Sequence, residues 1–115
     1  MSKVIHPDYG LNGSGARNLS RDYMAAYEAA VKLREALREC TPHPRDYQES
    51  GLYLSAREMH AARVQLVCAV EEELGELAST ASEKEADIRA LARRSDLSMQ
   101  EAAIRKARLD REVQS

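Results

Sequence analysis

Residues 54–95 read LSAREMHAARVQLVCAVEEELGELASTASEKEADIRALARRS, and this stretch decides the fold. Ser55 and Glu58 have the spacing of a capping box, in which two side chains satisfy free backbone N–H groups of a first helical turn. Leu54 and Met59 stand at the positions of a hydrophobic staple. From there Val67, Val70, Leu74, Leu77, Ala81, Ile88 and Leu91 follow helical spacing, and only Lys84 is out of character in the row. Such a row forms one apolar face of a helix and needs another surface to cover it. Ser79-Thr80-Ala81-Ser82 are poor helix formers, and Ser82 with Glu85 offers a second capping box. Two readings result: a break near Ser79–Ser82, or one continuous helix to about residue 94. The unbroken phase of the row favours continuity.

Working towards the N-terminus, Thr41-Pro42-His43-Pro44 stops any helix before it, because proline lacks an N–H and restricts its predecessor. Tyr23, Ala26, Ala30, Leu33, Leu37 and Cys40 then place a first helix over about 20–40, capped by Ser20 or Asn18. Residues 1–19 have turn composition and read as a flexible arm. Gly13-Ser14-Gly15 lacks the strand and the Gly-Lys-Ser/Thr ending of a phosphate loop. Towards the C-terminus, Ser95-Asp96-Leu97 interrupts the pattern, and Ser98 with Glu101 caps a last helix over about 98–112.

The expected fold is all-α: an antiparallel helical hairpin with a long second helix, a C-terminal helix and coiled-coil-like packing, in one domain. Phe and Trp are absent and much of the apolar content is alanine, so helices form readily around a thin core. A homodimer would bury more surface. The first helix is too short to cover Ala81, Ile88 and Leu91. Those residues are therefore candidates for cover by the last helix or by another chain.

The formal net charge of −2 implies no partner class. The one local excess is acidic, at Glu71, Glu72, Glu73 and Glu76. It reads as a solvated face or as a surface offered to a basic patch. No stretch reaches the roughly 18 apolar residues of a membrane span, and MSKVIHPDYG lacks a secretion-signal core. The expected location is the cytoplasm of a bacterial host cell, with Cys40 and Cys68 as reduced thiols. Cys40, His43, His60 and Cys68 have zinc-type side chains, but their spacing does not form a ligand set. No nucleophile, base and orienting group come together in the pattern either. The reading is therefore a non-enzymatic chain with no catalytic residue, no metal and no cofactor.

Candidate contact residues come from three places. Arg45, Asp46, Tyr47 and Tyr53 lie in a connection of about a dozen residues before Ser55, long for a helix–helix link. Glu72, Glu73, Glu76, Ile88 and Leu91 are candidate partner or dimer contacts on the long helix. Arg105, Lys106 and Arg108 are candidate nucleic-acid contacts on the last one.

Two resemblances bear on function. Residues 20–78, through Tyr23-x-x-Ala26, Leu33-Arg34-x-Ala36-Leu37, Pro44-Arg45-Asp46-Tyr47 and His60-Ala61-Ala62-Arg63, resemble small helical-hairpin accessory proteins of phages and prophages. That likeness implies an inhibitor or adaptor that docks on a host or viral protein machine. Residues 88–111, around Ala90-Leu91-Ala92-Arg93-Arg94 and Ala103-Ile104-Arg105-Lys106-Ala107, resemble the helices of ribbon-helix-helix and helix-turn-helix regulators. No strand pattern precedes them, and Asp96 stands where a turn glycine is favoured. The alternative functions are thus a small DNA-binding regulator using the last helix, or a structural part of a larger assembly.

Overall fold

The computed structural model describes residues 4–8, 15–95 and 98–114, with the side chains of residues 15, 16, 95 and 114 left out. Three α-helices account for nearly all of them: α1 (Gly15–Arg38), α2 (Ser50–Ser95) and α3 (Met99–Gln114). A short 3-10 turn (Pro44–Asp46) lies between α1 and α2. The fold is all-α, as the spacing predicts. α2 has 46 residues, which at 1.5 Å per residue account for the 69 Å long axis of the molecule.

α2 runs through Ser79–Ser82 without a break. Tertiary packing outweighs the weak propensities there: Ala78 and Ala81 are fully enclosed, and Ser20 Oγ meets Ser82 Oγ at 2.7 Å. The pairing of α1 with α2 is antiparallel. Ser20 meets Ser82, Tyr27 faces Gly75, Arg34 meets Glu71 and Thr41 approaches His60. Positions rise along one helix as they fall along the other.

Two helix starts differ from the sequence expectation. α1 begins at Gly15, so Asn18 and Ser20 are interior residues rather than caps. Leu19 and Tyr23, one turn apart, both pack on the cluster around Ala81 and Ile88, and that burial carries the helix N-terminally. α2 begins at Ser50, so Ser55 and Glu58 lie within the helix and do not cap it. The Glu49 carbonyl accepts the early helical bond from the Tyr53 N–H at 3.2 Å. Tyr53 and Ala56 extend the α1-facing row back from His60, which draws Leu52-Tyr53-Leu54 into the helix. Leu54 and Met59 are exposed and form no staple.

The Ser98 cap is present. Ser98 Oγ accepts from the Glu101 N–H at 3.2 Å and donates to Glu101 Oε1 at 3.1 Å. Gly13-Ser14 and Asp96-Leu97 lie outside the described residues.

α3 folds back antiparallel along the C-terminal third of α2. Lys84 Nζ donates to Asp110 Oδ2 at 2.9 Å, and Lys106 Nζ lies 3.8 Å from Asp87 Oδ2. This explains Lys84 in an apolar row, since its partner arrives from α3. Between the helices lie Ala81, Ile88, Ala92, Ala102 and Ala103, with Leu19, Tyr23 and Leu91 packed around them. Ile88 (1% exposed) and Leu91 are therefore covered within the chain, which corrects their placement at an intermolecular contact.

The core is thin. Among the described residues, Ile88 is the only large apolar side chain that is fully buried, and the other buried apolar residues are all alanine. The other large apolar side chains are half-buried or exposed.

Candidate protein-docking surface

The hairpin tip is built by the end of α1, the connection and the first turns of α2. After Arg38 the chain tightens: the N–H groups of Glu39, Cys40 and Thr41 donate to the carbonyls three residues back, and Thr41 Oγ1 donates to the Arg38 carbonyl. His43 Nδ1 then accepts from the Arg45 N–H at 3.2 Å and opens the 3-10 turn. Tyr47 follows in extended backbone, its N–H donating to the Pro44 carbonyl at 3.2 Å. Its ring meets that of Tyr53 at 6.1 Å between centroids, tilted by 52°. The Arg57 guanidinium sits 5.7 Å from the Tyr53 ring centre. A tilted ring pair with a cation over one face is a favourable arrangement on both counts.

Of the expected loop contacts, Arg45 and Asp46 are exposed, and Tyr47 and Tyr53 are half-buried. The fold brings these four together at one end of the rod. It adds Arg57, which the sequence reading left out, and keeps Leu52 and Leu54 of the same stretch at this end; all three are exposed. The available signal was the three-four row running back through Ala56 to Tyr53, which makes Leu52 and Leu54 helical.

Behind the tip lies a cleft of ≈ 330 Å³ lined by Arg34, Arg38, Thr41, His60, Val64 and Cys68. His60 is only 8% exposed. Its Nε2 lies 3.5 Å from Thr41 Oγ1, and Nδ1 has no partner among the described residues. Arg34 donates to Glu71 from Nε at 2.6 Å and from Nη2 at 3.3 Å. The hydrogen bond and the charge of Glu71 raise the Arg34 pKa above its ordinary value. Glu71 is thus tied to α1, while Glu72, Glu73 and Glu76 lie on the exposed side of α2. His6 Nε2 lies 3.9 Å from Glu76 Oε1. Cys40 and Cys68 are free thiols, Cys40 exposed and Cys68 half-buried. Among the described residues, no group of three or more His, Cys, Asp or Glu is placed to hold a metal.

On α3, Arg105 and Arg108 are exposed, but Lys106 faces the fold between Asp87 and Asp110. That removes Lys106 from the candidate basic face, because its charge is spent on holding α3 to α2. Asp110 is subject to opposed effects. Burial pushes its carboxyl pKa up, but the hydrogen bond and charge of Lys84, with Lys106, outweigh this and hold it below the ordinary 3.8.

A row of apolar side chains runs along one flank of the hairpin: Leu33 (51% exposed) on α1, and Met59 (63%), Leu66 (70%) and Val70 (50%) on α2. No helix among the described residues is long and apolar enough to cross a membrane. No protein-family model matches the chain, and neither does any curated protein or solved structure.

Proposed function

We propose that this chain is a non-enzymatic protein-binding module, an accessory protein of the phage type that docks on a host or viral protein machine in the bacterial cytoplasm. The observation that carries this reading is the hairpin tip. There Arg45, Tyr47, Tyr53 and Arg57 share one end of a rod with the exposed Leu52 and Leu54. Tyr and Arg dominate the energetics of protein interfaces, and rings already held by neighbours lose little freedom on binding. Asp46 beside Arg45 supplies polar contacts of both signs at the rim. The resemblance of residues 20–78 to phage hairpin proteins agrees with an inhibitor or adaptor role.

The experiment places a photo-crosslinking aromatic at Tyr47 in the full chain and exposes it in a bacterial host. The expected result is one dominant cross-linked protein, whose purified form binds the chain and loses at least about 30-fold in affinity with Tyr53→Ala and Arg57→Ala, as for an interface hot spot. Unchanged affinity in those variants would overturn the assignment of the tip.

A second reading rests on Arg105 and Arg108, exposed together with Arg111 on α3. It makes the chain a DNA-binding regulator. A duplex-DNA mobility shift at moderate salt that is lost in an Arg105→Ala/Arg108→Ala variant would favour it over the docking reading.

A further inference from the structure

The flank row continues the surface that α3 covers. On α2, Asp87 meets α3, and steps of seven residues lead back from it through Thr80 and Glu73 to Leu66, Met59 and Leu52. Lys84 also meets α3, and the same steps lead to Leu77 and Val70. On α1, Leu19 packs against the shared core cluster, and steps of seven lead to Ala26, Leu33 and Cys40. Residues seven apart lie nearly one above another on packed helices. The groove between α1 and α2 therefore carries a third helix at one end and runs on past Glu73 to Leu33, Met59, Leu66 and Val70, which stay exposed, with Ala26 and Leu77 half-buried beside them.

We infer that a second copy of this chain covers the flank, the two hairpins crossing antiparallel so that α1 and α2 of each form a four-helix bundle. Four observations select this occupant. First, the fully buried core is almost all alanine, while Leu33, Met59, Leu66 and Val70 are half or more exposed together on one flank, and pairing the flanks covers these four. Second, the flank is self-complementary in shape. Exposed Ala29 and Ala36 flank Leu33, and exposed Ala62 and Ala69 flank Leu66, so a two-fold axis lays large residues of one copy over small residues of the other. Third, the row from Met59 to Val70 with its rims gives a patch about 25–30 Å long and two helices wide. That is on the order of the 800 Å² per partner of a stable pair. Fourth, an antiparallel alignment keeps the acidic ridges Glu72–Glu76 of the two copies at opposite ends, where a parallel one would stack them. With the axis near Gln65, the tip of each hairpin comes level with residues near 80 of the other copy, next to the end of its α3; the inference rests on the flank and not on the docking role proposed for the tip.

The test is sedimentation equilibrium of the full chain over a range of about 1–200 µM, spanning the affinities expected for an interface of this size. The expected result is a species of twice the 12.9 kDa chain mass through most of that range. Leu66→Glu should weaken association at least about 30-fold, as for a central interface residue. Leu66 is 70% exposed, so helicity by circular dichroism should be unchanged and a folding defect excluded. Leu109→Glu on α3, which lies outside the flank, should leave the dimer intact. A spin label at Glu76→Cys in a Cys40→Ser/Cys68→Ala background then reads the alignment. With the axis near Gln65, two antiparallel copies place the labels about 35 Å apart, and parallel copies less than about 20 Å. A 12.9 kDa species at all concentrations, or an unchanged dimer in Leu66→Glu, would overturn the inference. A short label distance would overturn the antiparallel bundle.

Discussion

Ile88→Ala is the substitution to which the three-helix end should be most sensitive. Ile88 is 1% exposed and sits among Ala81, Ala92, Ala102 and Ala103, small side chains that have little reach to refill a void. The change removes three carbons. At about 0.8 kcal/mol per buried methylene the transfer loss is about 2.4 kcal/mol. A void of about 40–70 Å³ adds about 1–1.7 kcal/mol at 24 cal/mol per Å³. The better helix propensity of alanine returns a few tenths. The expected net loss is about 3–4 kcal/mol, enough to lower the melting midpoint by about 12–16 °C in a chain of this length. Urea unfolding followed by circular dichroism measures the loss. Hydrogen exchange should show the amides of Met99–Gln114 losing protection ahead of those around residues 60–75, because α3 rests on this residue and the lower hairpin does not. A loss under about 1 kcal/mol, with exchange in α3 unchanged, would refute the reasoning, since a methylene cluster in a closed alanine cage cannot be removed so cheaply.

Two further outcomes test the packing. Gly75→Ala adds a Cβ at 3.2 Å from Tyr27 Cε1 and 3.4 Å from Cδ1, so the ring must move by a few tenths of an ångström. Helix propensity gains about 1 kcal/mol. The expected net change is within about 0.5 kcal/mol of zero with Tyr27 present and about 1 kcal/mol stabilising in a Tyr27→Ala background; equal effects in the two would deny the close crossing. Asp110 tests the α3 ion pairs by pH. Its folded pKa is depressed below 3.8, so its contribution is fully present above that value and is lost as pH falls through the folded pKa. Thermal midpoints of wild type and Asp110→Asn should therefore differ at pH 7 and converge as pH drops below about 3.8; a constant gap would show that Lys84 and Lys106 do not act through the charge of Asp110.

The helical class, the antiparallel hairpin and the Ser98 cap were legible because each is a local matter of spacing and capping chemistry. Gly75 carries a similar local signal, since a glycine inside a strong helix costs about 1 kcal/mol and points to a close neighbour, here Tyr27. The helix starts were not. Ser55-x-x-Glu58 and Ser20 are sound capping signals, but Tyr53, Leu19 and Tyr23 gain burial only once the opposite helix is in place, and that gain extends both helices past the caps. Of the contact residues read from the sequence, Arg45, Asp46, Tyr47 and Tyr53 meet at one end of the rod, while Ile88, Leu91 and Lys106 turn inward.

By itself the sequence determined that residues of about 20–40 and 55–94 form amphipathic helices long enough to pair, because a three-four spacing of apolar residues admits no other regular conformation that hides them. Which apolar residues are hidden was decided only by the tertiary structure. Val70, Leu77, Ile88 and Leu91 read as one stripe. α3 is only 16 residues long, and it closes over Ile88 and Leu91 while Val70, Leu66 and Met59 stay open. Helical periodicity places a residue on a face, but it does not say how far along that face the covering helix reaches. Here that reach separates the closed end of the rod from the flank assigned to a second copy.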